Sequence, residues 1–191
     1  MSEHDRTKWN RKYHEKPTLL EDRPPSRLLE TFYRQAPGDR AIDLACGSGR
    51  HTLFLAKNGF KVDAADISSV ALAALGKKSD SLDVTLMEVD LDHFTPQEGI
   101  YDLVIKSNYL DRPLIKRTAA SLKPGALFIV ETYMTHPENE KEDSNPDFLL
   151  QPNELKEIFA EDFEILAYDE FWNEPYELYK MRKQGIVARK R

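Results

Sequence analysis

Asp43-Leu44-Ala45-Cys46-Gly47-Ser48-Gly49 is the stretch on which the fold turns. Ala41 to Ala45 is a short apolar run that reads as a strand, and it leads straight into a tight Gly47-Ser48-Gly49 turn. A ligand lying over the carboxyl end of such a strand needs backbone free of side chains, which Gly47 and Gly49 supply. Two glycines in a loop are common, so the turn alone does not name a ligand. The pattern around it says more. Thr52 to Lys57 has a helical period and is stopped by Asn58-Gly59. Phe60 to Ala65 is a second strand, ending on Asp66. Ser68 caps a helix over Val70 to Lys77. Val84 to Val89 is a third strand, ending on Asp90, and Tyr101 to Lys106 a fourth. A helix over Leu114 to Leu122 stops at Lys123-Pro124-Gly125, and Ala126 to Thr132 is a fifth strand. Strict alternation of strand and helix predicts a parallel sheet with right-handed crossovers, covered on both faces.

Upstream, Pro24-Pro25 opens an amphipathic helix over Ser26 to Gln35, which Pro37-Gly38 ends. Downstream the character changes. His136 to Asp147 is a polar, acidic loop long enough to serve as a flap, and Asn153 to Ala160 is a short helix. Phe163 to Phe171 and Leu178 to Ala188 read as two strands joined around Asn173-Glu174-Pro175, an antiparallel pair. The expected fold is therefore α/β: a Rossmann-like, doubly wound, mostly parallel seven-stranded sheet with a C-terminal antiparallel hairpin.

A chain of 191 residues suits a single domain. Its composition, 40% hydrophobic and 31% charged, is that of a globular protein. The formal net charge of -6 argues against nucleic acid as a partner. Two basic clusters, Arg6-Lys8-Arg11-Lys12-Lys16 and Arg182-Lys183-Arg189-Lys190-Arg191, read as solvated surface. Cys46 is the sole cysteine, so no intramolecular disulfide forms. Met1 to Trp9 carries no apolar core of a secretory signal. No apolar run approaches the roughly eighteen residues of a membrane span, so the expected compartment is the cytoplasm. His4, His14, His51, His93 and His136 are scattered and predict no metal site.

Three acids bear on the ligand. Asp66, at the end of the second strand, is placed to accept hydrogen bonds from both hydroxyls of a ribose. Asp90, at the end of the third, is placed for an exocyclic amine of adenine, with Leu91 lining the base. Each alone reads sooner as a cap or a surface residue; in series after a Gly-rich turn they favour a nucleoside. A dinucleotide fingerprint wants a third glycine where this chain has Thr52. Asp43 at the mouth would repel a pyrophosphate but suit ammonium and sulfonium charge.

The sequence resembles the class I S-adenosylmethionine-dependent methyltransferases, in particular their small tellurite-resistance-type and ubiquinone-biosynthesis-type branch. Ile42 to Gly49 is similar to the first motif of that family, which often has Gly where this chain has Ala45. Ala65-Asp66-Ile67-Ser68 resembles the ribose-binding strand end, Asp90-Leu91 the adenine contact, and Leu122-Lys123-Pro124-Gly125 the turn before the fifth strand. Trp9-Asn10-Arg11-Lys12-Tyr13 resembles the segment that folds over the cofactor. The resemblance implies S-adenosylmethionine as cofactor, held by Trp9, Tyr13, Asp43, Ala45, Gly47, Gly49, Asp66, Ile67, Asp90, Leu91 and Ser107. It also implies one domain over 1–191: a lid segment at 1–24, a cofactor-binding core at 25–135, and a flap with hairpin at 136–191. Trp9 and Tyr13, four residues apart, would share one helical face; the alternative is that they pack on the sheet's edge.

The expected function is in-line transfer of a methyl group to a small-molecule acceptor, with no membrane partner. Such a displacement needs alignment and exclusion of water more than a distinctive catalytic group. Asn108 and Tyr109, after the fourth strand, and His136, after the fifth, are the candidates for acceptor contacts; a turn residue and a packed ring are the alternative for the first two. Cys46 lies inside the cofactor loop and is a poor candidate nucleophile. An amine or hydroxyl acceptor would want a base, whereas a soft anion, towards which the tellurite-type resemblance points, would not. A binding module without turnover and a nicotinamide-dependent dehydrogenase are the competing readings. Asn145 to Leu150 resembles a recurrent segment of the branch but declares no chemistry.

Overall fold

The computed structural model describes residues 3–141, 145–175 and 177–191. Seven strands make one sheet in the order β3-β2-β1-β4-β5-β7-β6. Five run parallel: β1 (Arg40–Leu44), β2 (Lys61–Asp66), β3 (Val84–Glu88), β4 (Leu103–Ser107) and β5 (Leu127–Tyr133). The last two, β6 (Phe163–Trp172) and β7 (Arg182–Lys190), are antiparallel, and β7 inserts between β5 and β6. Strand order reverses between β1 and β4, so their carboxyl ends border the crevice where open α/β sheets take ligands.

The apolar runs read as central strands are buried on both faces, as parallel strands must be. On one face Ile42, Leu44, Val104, Phe128 and Val130 pack under α5 (Arg112–Ser121) and α6 (Glu154–Phe159). Phe159 stands edge-on to both Phe128 and Phe163 at 5.3 and 5.0 Å, each pair contributing about 0.5–1.5 kcal/mol beyond burial. On the other face Ala41, Leu103, Ile105 and Leu127 pack under α2 (Arg27–Phe32) and α3 (Arg50–Lys57). A third cluster joins α3 to α4 (Ser69–Lys78) through Leu53, Leu72 and Leu75. Ser26, Ser68 and Asp111 cap α2, α4 and α5 by accepting from the amide three residues on, which satisfies donors that have no partner within the helix.

Three expectations need correction. No helix connects β3 to β4; a turn-rich segment crosses instead, so the alternation of strand and helix is not strict. The hairpin does not close around Asn173 to Pro175. Asn173 accepts from the Met181 amide and donates to the Tyr179 carbonyl, so the ladder starts at Trp172 opposite Arg182 and Leu178 stays outside it. The closing basic cluster is not all solvated, because Lys183 is 1% exposed. The N-terminal aromatic-basic segment is one helix, α1 (Glu3–Glu15), docked on the start of α4 and joined to the edge strand β3 by Arg6. Of the expected flap, residues 142–144 lie outside the described residues. Among the described residues, no helix is long and apolar enough to cross a membrane.

Candidate active site

The turn after β1 is held by left-handed backbone at Ala45 (φ 59°), Gly47 (φ 55°) and Gly49 (φ 85°). Ala45 adopts it with a β-carbon, at a cost of roughly 1–2 kcal/mol. The two glycines are there for different reasons. A β-carbon on Gly47 would lie 2.9 Å from the Tyr13 hydroxyl, so α1 stands directly over the turn. One on Gly49 would lie 2.3 Å from Leu75 Cδ1. That glycine lets α4 approach, which corrects the expectation that it clears space for a ligand.

Asp43, 1% exposed, accepts from both the amide and the hydroxyl of Thr52 through Oδ2, at 3.1 and 2.7 Å. The third fingerprint glycine is therefore replaced by a residue with a structural task. Asp43 Oδ1 is buried with no hydrogen-bond partner among the described residues. Burial pushes the carboxyl up to about 6, against the pull of the Thr52 hydrogen bonds and the nearby Arg50. Asp66 accepts from the Gly47 amide at 2.8 Å and from the Ser68 amide at 2.9 Å. Burial raises its pKa while these amides oppose the rise. A carboxylate offers about four lone-pair sites, and the Ser68, Gly47 and Ile67 amides do not fill them all.

The helix α1 is tied down by Asn10. Its Oδ1 accepts from the Ser68 hydroxyl at 2.7 Å and the Val70 amide at 3.4 Å, and its Nδ2 donates to Ser69 Oγ at 3.2 Å. Arg6 adds an ion pair to Glu88 at 3.3 Å. On the same helix the Trp9 and Tyr13 rings stand 6.1 Å apart, with Lys12 over Trp9. Burial, then the Asp66 carboxylate, raise the Tyr13 pKa, which keeps its hydroxyl a donor.

Other expected residues fall less simply. Asp90 accepts from the Asp92 amide at 2.9 Å in a turn. The side chains of Leu91 and Ile67 are core, at 0% and 3% exposure, so they do not line an open surface. Ser107 Oγ accepts from Arg50 Nη2 at 3.0 Å. Asn108 takes a left-handed turn (φ 57°), with its side chain exposed and its amide on the Glu131 carbonyl. Tyr109 reaches Asp92 and Asp111 through its hydroxyl, on the β3 side, while Lys106 lies under its ring. His136 accepts from the Glu138 amide through Nδ1 and stacks edge-on with Trp172 at 5.0 Å, so it is drawn to the β6 end of the sheet. Burial raises the Cys46 thiol well above its usual range, as suits an inert residue. Among the described residues no three metal-ligating side chains gather.

Sequence reading missed Arg50 and Lys106. Arg50 bridges the Gly-rich turn to the end of β4. Lys106 is 0% exposed, has no hydrogen-bond partner among the described residues, and is pushed down to about 7 by burial. Its signal was available: a charge closing the apolar run of β4.

Comparison with known proteins agrees with this fold. Residues 41–125 match a family model described as a methyltransferase domain. Together with the fold, this makes residues 41–125 similar to the methyltransferase domains. The similarity extends beyond that stretch to TehB. The probable S-adenosyl-L-methionine-dependent methyltransferase TehB of Haemophilus influenzae is 27% identical over 173 residues, 80% of this chain and 57% of that protein. The crystal structure of TehB from the same organism superposes with a TM-score of 0.78 at 21% identity, covering 94% of this chain and 66% of that one. A ribosomal protein L11 methyltransferase of Campylobacter concisus is 29% identical over 146 residues, 75% of this chain and 50% of that protein. Magnesium protoporphyrin IX methyltransferase of Synechocystis, solved with bound SAH, superposes with a TM-score of 0.71 at 16% identity and 97% coverage of both chains. The chain thus spans about half the length of these two sequence relatives, and the names of the relatives and neighbours carry different acceptors.

Proposed function

We propose that the chain binds S-adenosylmethionine over the carboxyl ends of β1, β2 and β4 and passes its methyl group to a small-molecule acceptor. The observation that carries this is Asp43 Oδ1, a carboxylate oxygen buried beside the Gly47 turn with no donor among the described residues. Buried acceptors are nearly always satisfied, and the ammonium of the cofactor's methionyl group is a suitable donor. Arg50, spending one hydrogen bond on Ser107 Oγ, keeps further donors for the neighbouring carboxylate. Asp66 has lone pairs left for the ribose hydroxyls, and Asp90 lies at the next strand end for the adenine. Gly47 and Ala45 give the turn its open backbone, while Ile67, Leu91 and Gly49 support it through packing.

When bound, S-adenosylmethionine supplies a methyl group on sulfonium sulfur, open to in-line displacement. The chain's own residues hold the two ends of the methionyl group apart by charge, through Asp43 and Arg50, and cover the site. Trp9 and Tyr13 on α1 act as the lid, which makes residues 1–24 a closing segment, 25–135 the cofactor-binding core and 136–191 the flap and hairpin. Covering the site excludes water and strengthens every charge interaction inside it. A formal charge of -6 and a site mouth roofed by α1 support a small acceptor over a nucleic acid.

The test is calorimetric titration with S-adenosylhomocysteine across pH, on the wild type and on Asp43→Asn. The wild type binds more weakly as pH falls through about 6, where Asp43 takes up its proton. Asp43→Asn binds more weakly at neutral pH and loses that dependence. Equal affinity in the two proteins at all pH values refutes the assignment. Release of S-adenosylhomocysteine from S-adenosylmethionine with an acceptor present separates an enzyme from a binding module.

A further inference from the structure

Beyond the carboxyl ends of β4 and β5, a cluster of charged side chains is left unused by the cofactor reading. Lys183 Nζ lies 3.6 Å from Glu131 and 3.3 Å from Glu177, and 4.9 Å over the Tyr133 ring. The Tyr133 hydroxyl donates a hydrogen bond to Glu177. Tyr133 and Lys183 are cross-strand neighbours, and Glu131, two residues from Tyr133, shares their face of the sheet. From α3 the buried His51, with Nε2 lacking a partner among the described residues, feels both Arg50 and Lys183. Arg50 in turn acts on Tyr133 and on Asp43. The cluster is therefore continuous with the end of the site given to the methionyl group.

Stability does not call for it. Buried ion pairs replaced by apolar side chains of similar volume commonly leave stability unchanged or higher, so charge kept here points to a ligand. Its sign is also informative. With Arg50 and Asp43 assigned to the two ends of the methionyl group, Glu131 and Glu177 face a single Lys183, an excess of one negative charge. A thiolate or chalcogenide would be repelled; a protonated amine would be drawn in.

We propose that this cluster is the acceptor subsite, that it takes a small primary or secondary amine, and that Tyr133 touches the nucleophilic nitrogen. The inference rests on the proposed methyl transfer. The amine docks as its ammonium and donates N–H to Tyr133 Oη, whose own proton points at Glu177. One ammonium proton passes to Tyr133 Oη while the Tyr133 proton passes to Glu177, which frees the nitrogen lone pair. That lone pair forms the N–C bond as the methyl carbon leaves sulfur, and the C–S electron pair stays on sulfur. The methylated ammonium leaves with its proton, and Glu177 returns its own to solvent. The groups are poised for this: Lys183 and the Tyr133 hydrogen bond hold the Glu177 pKa down despite burial, so it is an ionised acceptor. Burial and Glu177 raise that of Tyr133, so it stays a donor. Tyr133 is a catalytic residue in this scheme, and Glu177 a positioning residue that acts through it.

The experiment uses the full chain saturated with S-adenosylhomocysteine. Ligand-observed NMR measures binding of benzylamine, tyramine and ethanolamine against the matched thiols and carboxylates. Methyl transfer from labelled S-adenosylmethionine to the same compounds is then followed. At least one amine is expected to bind and to accept label at least a hundredfold faster than its matched thiol. Glu177→Gln should lower kcat at least thirtyfold with the amine KM changed less than threefold, and Glu177→Asp should recover part of the loss. Tyr133→Phe should lower kcat at least a hundredfold, with affinity for S-adenosylhomocysteine within twofold of wild type. Preference for thiols or carboxylates, no binding of any amine by protein that binds S-adenosylhomocysteine, or full turnover by Tyr133→Phe overturns the proposal. Failure to bind S-adenosylhomocysteine at all is a different outcome and overturns the cofactor reading beneath it.

Discussion

Replacing Lys106 by methionine should make the protein more stable, and by an amount that depends on pH. Lys106 Nζ is fully buried and has no hydrogen-bond partner among the described residues. Its amine falls from an ordinary 10.5 to about 7, because burial outweighs the attraction of Asp111. At about 1.4 kcal/mol per decade of proton affinity this is a penalty of roughly 4–5 kcal/mol on the charged form, part of it offset by the Tyr109 ring 4.8 Å away. The sign follows from proton counts. Between pH 7 and 10.5 the unfolded chain holds a proton that the folded chain has shed, so wild-type stability rises with pH across that window. Below about 7 both states are charged and the whole penalty is present. Lys106→Met, similar in volume and uncharged, removes it. Urea denaturation followed by circular dichroism at pH 6, 7.5 and 9.5 is the assay. The variant should exceed wild type by roughly 2–4 kcal/mol at pH 6 after relaxation of the buried charge is allowed for, and by progressively less as pH rises. A gap that is absent, or constant across the three pH values, would show that Lys106 is solvated or paired when folded.

Three further expectations rest on the same structure. Gly49→Ala combines left-handed backbone with a β-carbon 2.3 Å from Leu75; it should cost about 2–4 kcal/mol by thermal denaturation, and a melting temperature equal to wild type would contradict that packing. Asp66→Asn keeps the shape of the side chain but loses charge-assisted bonds, so calorimetry should show S-adenosylhomocysteine bound about 2–3 kcal/mol more weakly in a folded protein; unchanged affinity removes Asp66 from the site. Deleting residues 1–16 takes away Asn10, Trp9 and Tyr13 together. The remainder should fold with α4 still capped by Ser68, yet bind the cofactor less tightly, whereas full affinity in the truncated chain would mean that α1 is no lid.

The parallel half of the fold was legible because its signals are local and mutually consistent. Apolar runs buried on both faces, Ser68 before an Ala-rich stretch, and glycines needing positive φ each report a nearby constraint. Asp43 and Asp66 drew notice for the same reason, each standing at the end of a strand, and the structure sets Asp66 against the Gly47 amide and Asp43 against Thr52. What sequence could not weigh was tertiary context. Lys183 looked like one of several surface cations, and only the pairing of β7 with β5 brings it against Glu131. Gly49 looked like its neighbour Gly47, and only the packing of α4 separates their tasks. Leu91 and Ile67 were expected to line the ligand because they follow the two acids. In the fold both follow the strand ends, and their side chains are buried in the core. The hairpin boundary was misplaced because Asn173 replaces ladder hydrogen bonds with side-chain ones, which leaves no mark in hydrophobic periodicity.

The central claim is that S-adenosylmethionine lies across Asp43, Arg50 and Asp66. A crystal structure of the complex with S-adenosylhomocysteine tests it most directly. The account predicts the ligand's ammonium within about 3.2 Å of Asp43 Oδ1 and a ribose hydroxyl within the same distance of Asp66, with Tyr13 closing over the Gly47 turn. A ligand bound elsewhere, or one whose ammonium is in solvent while Asp43 Oδ1 stays unpaired, would contradict it.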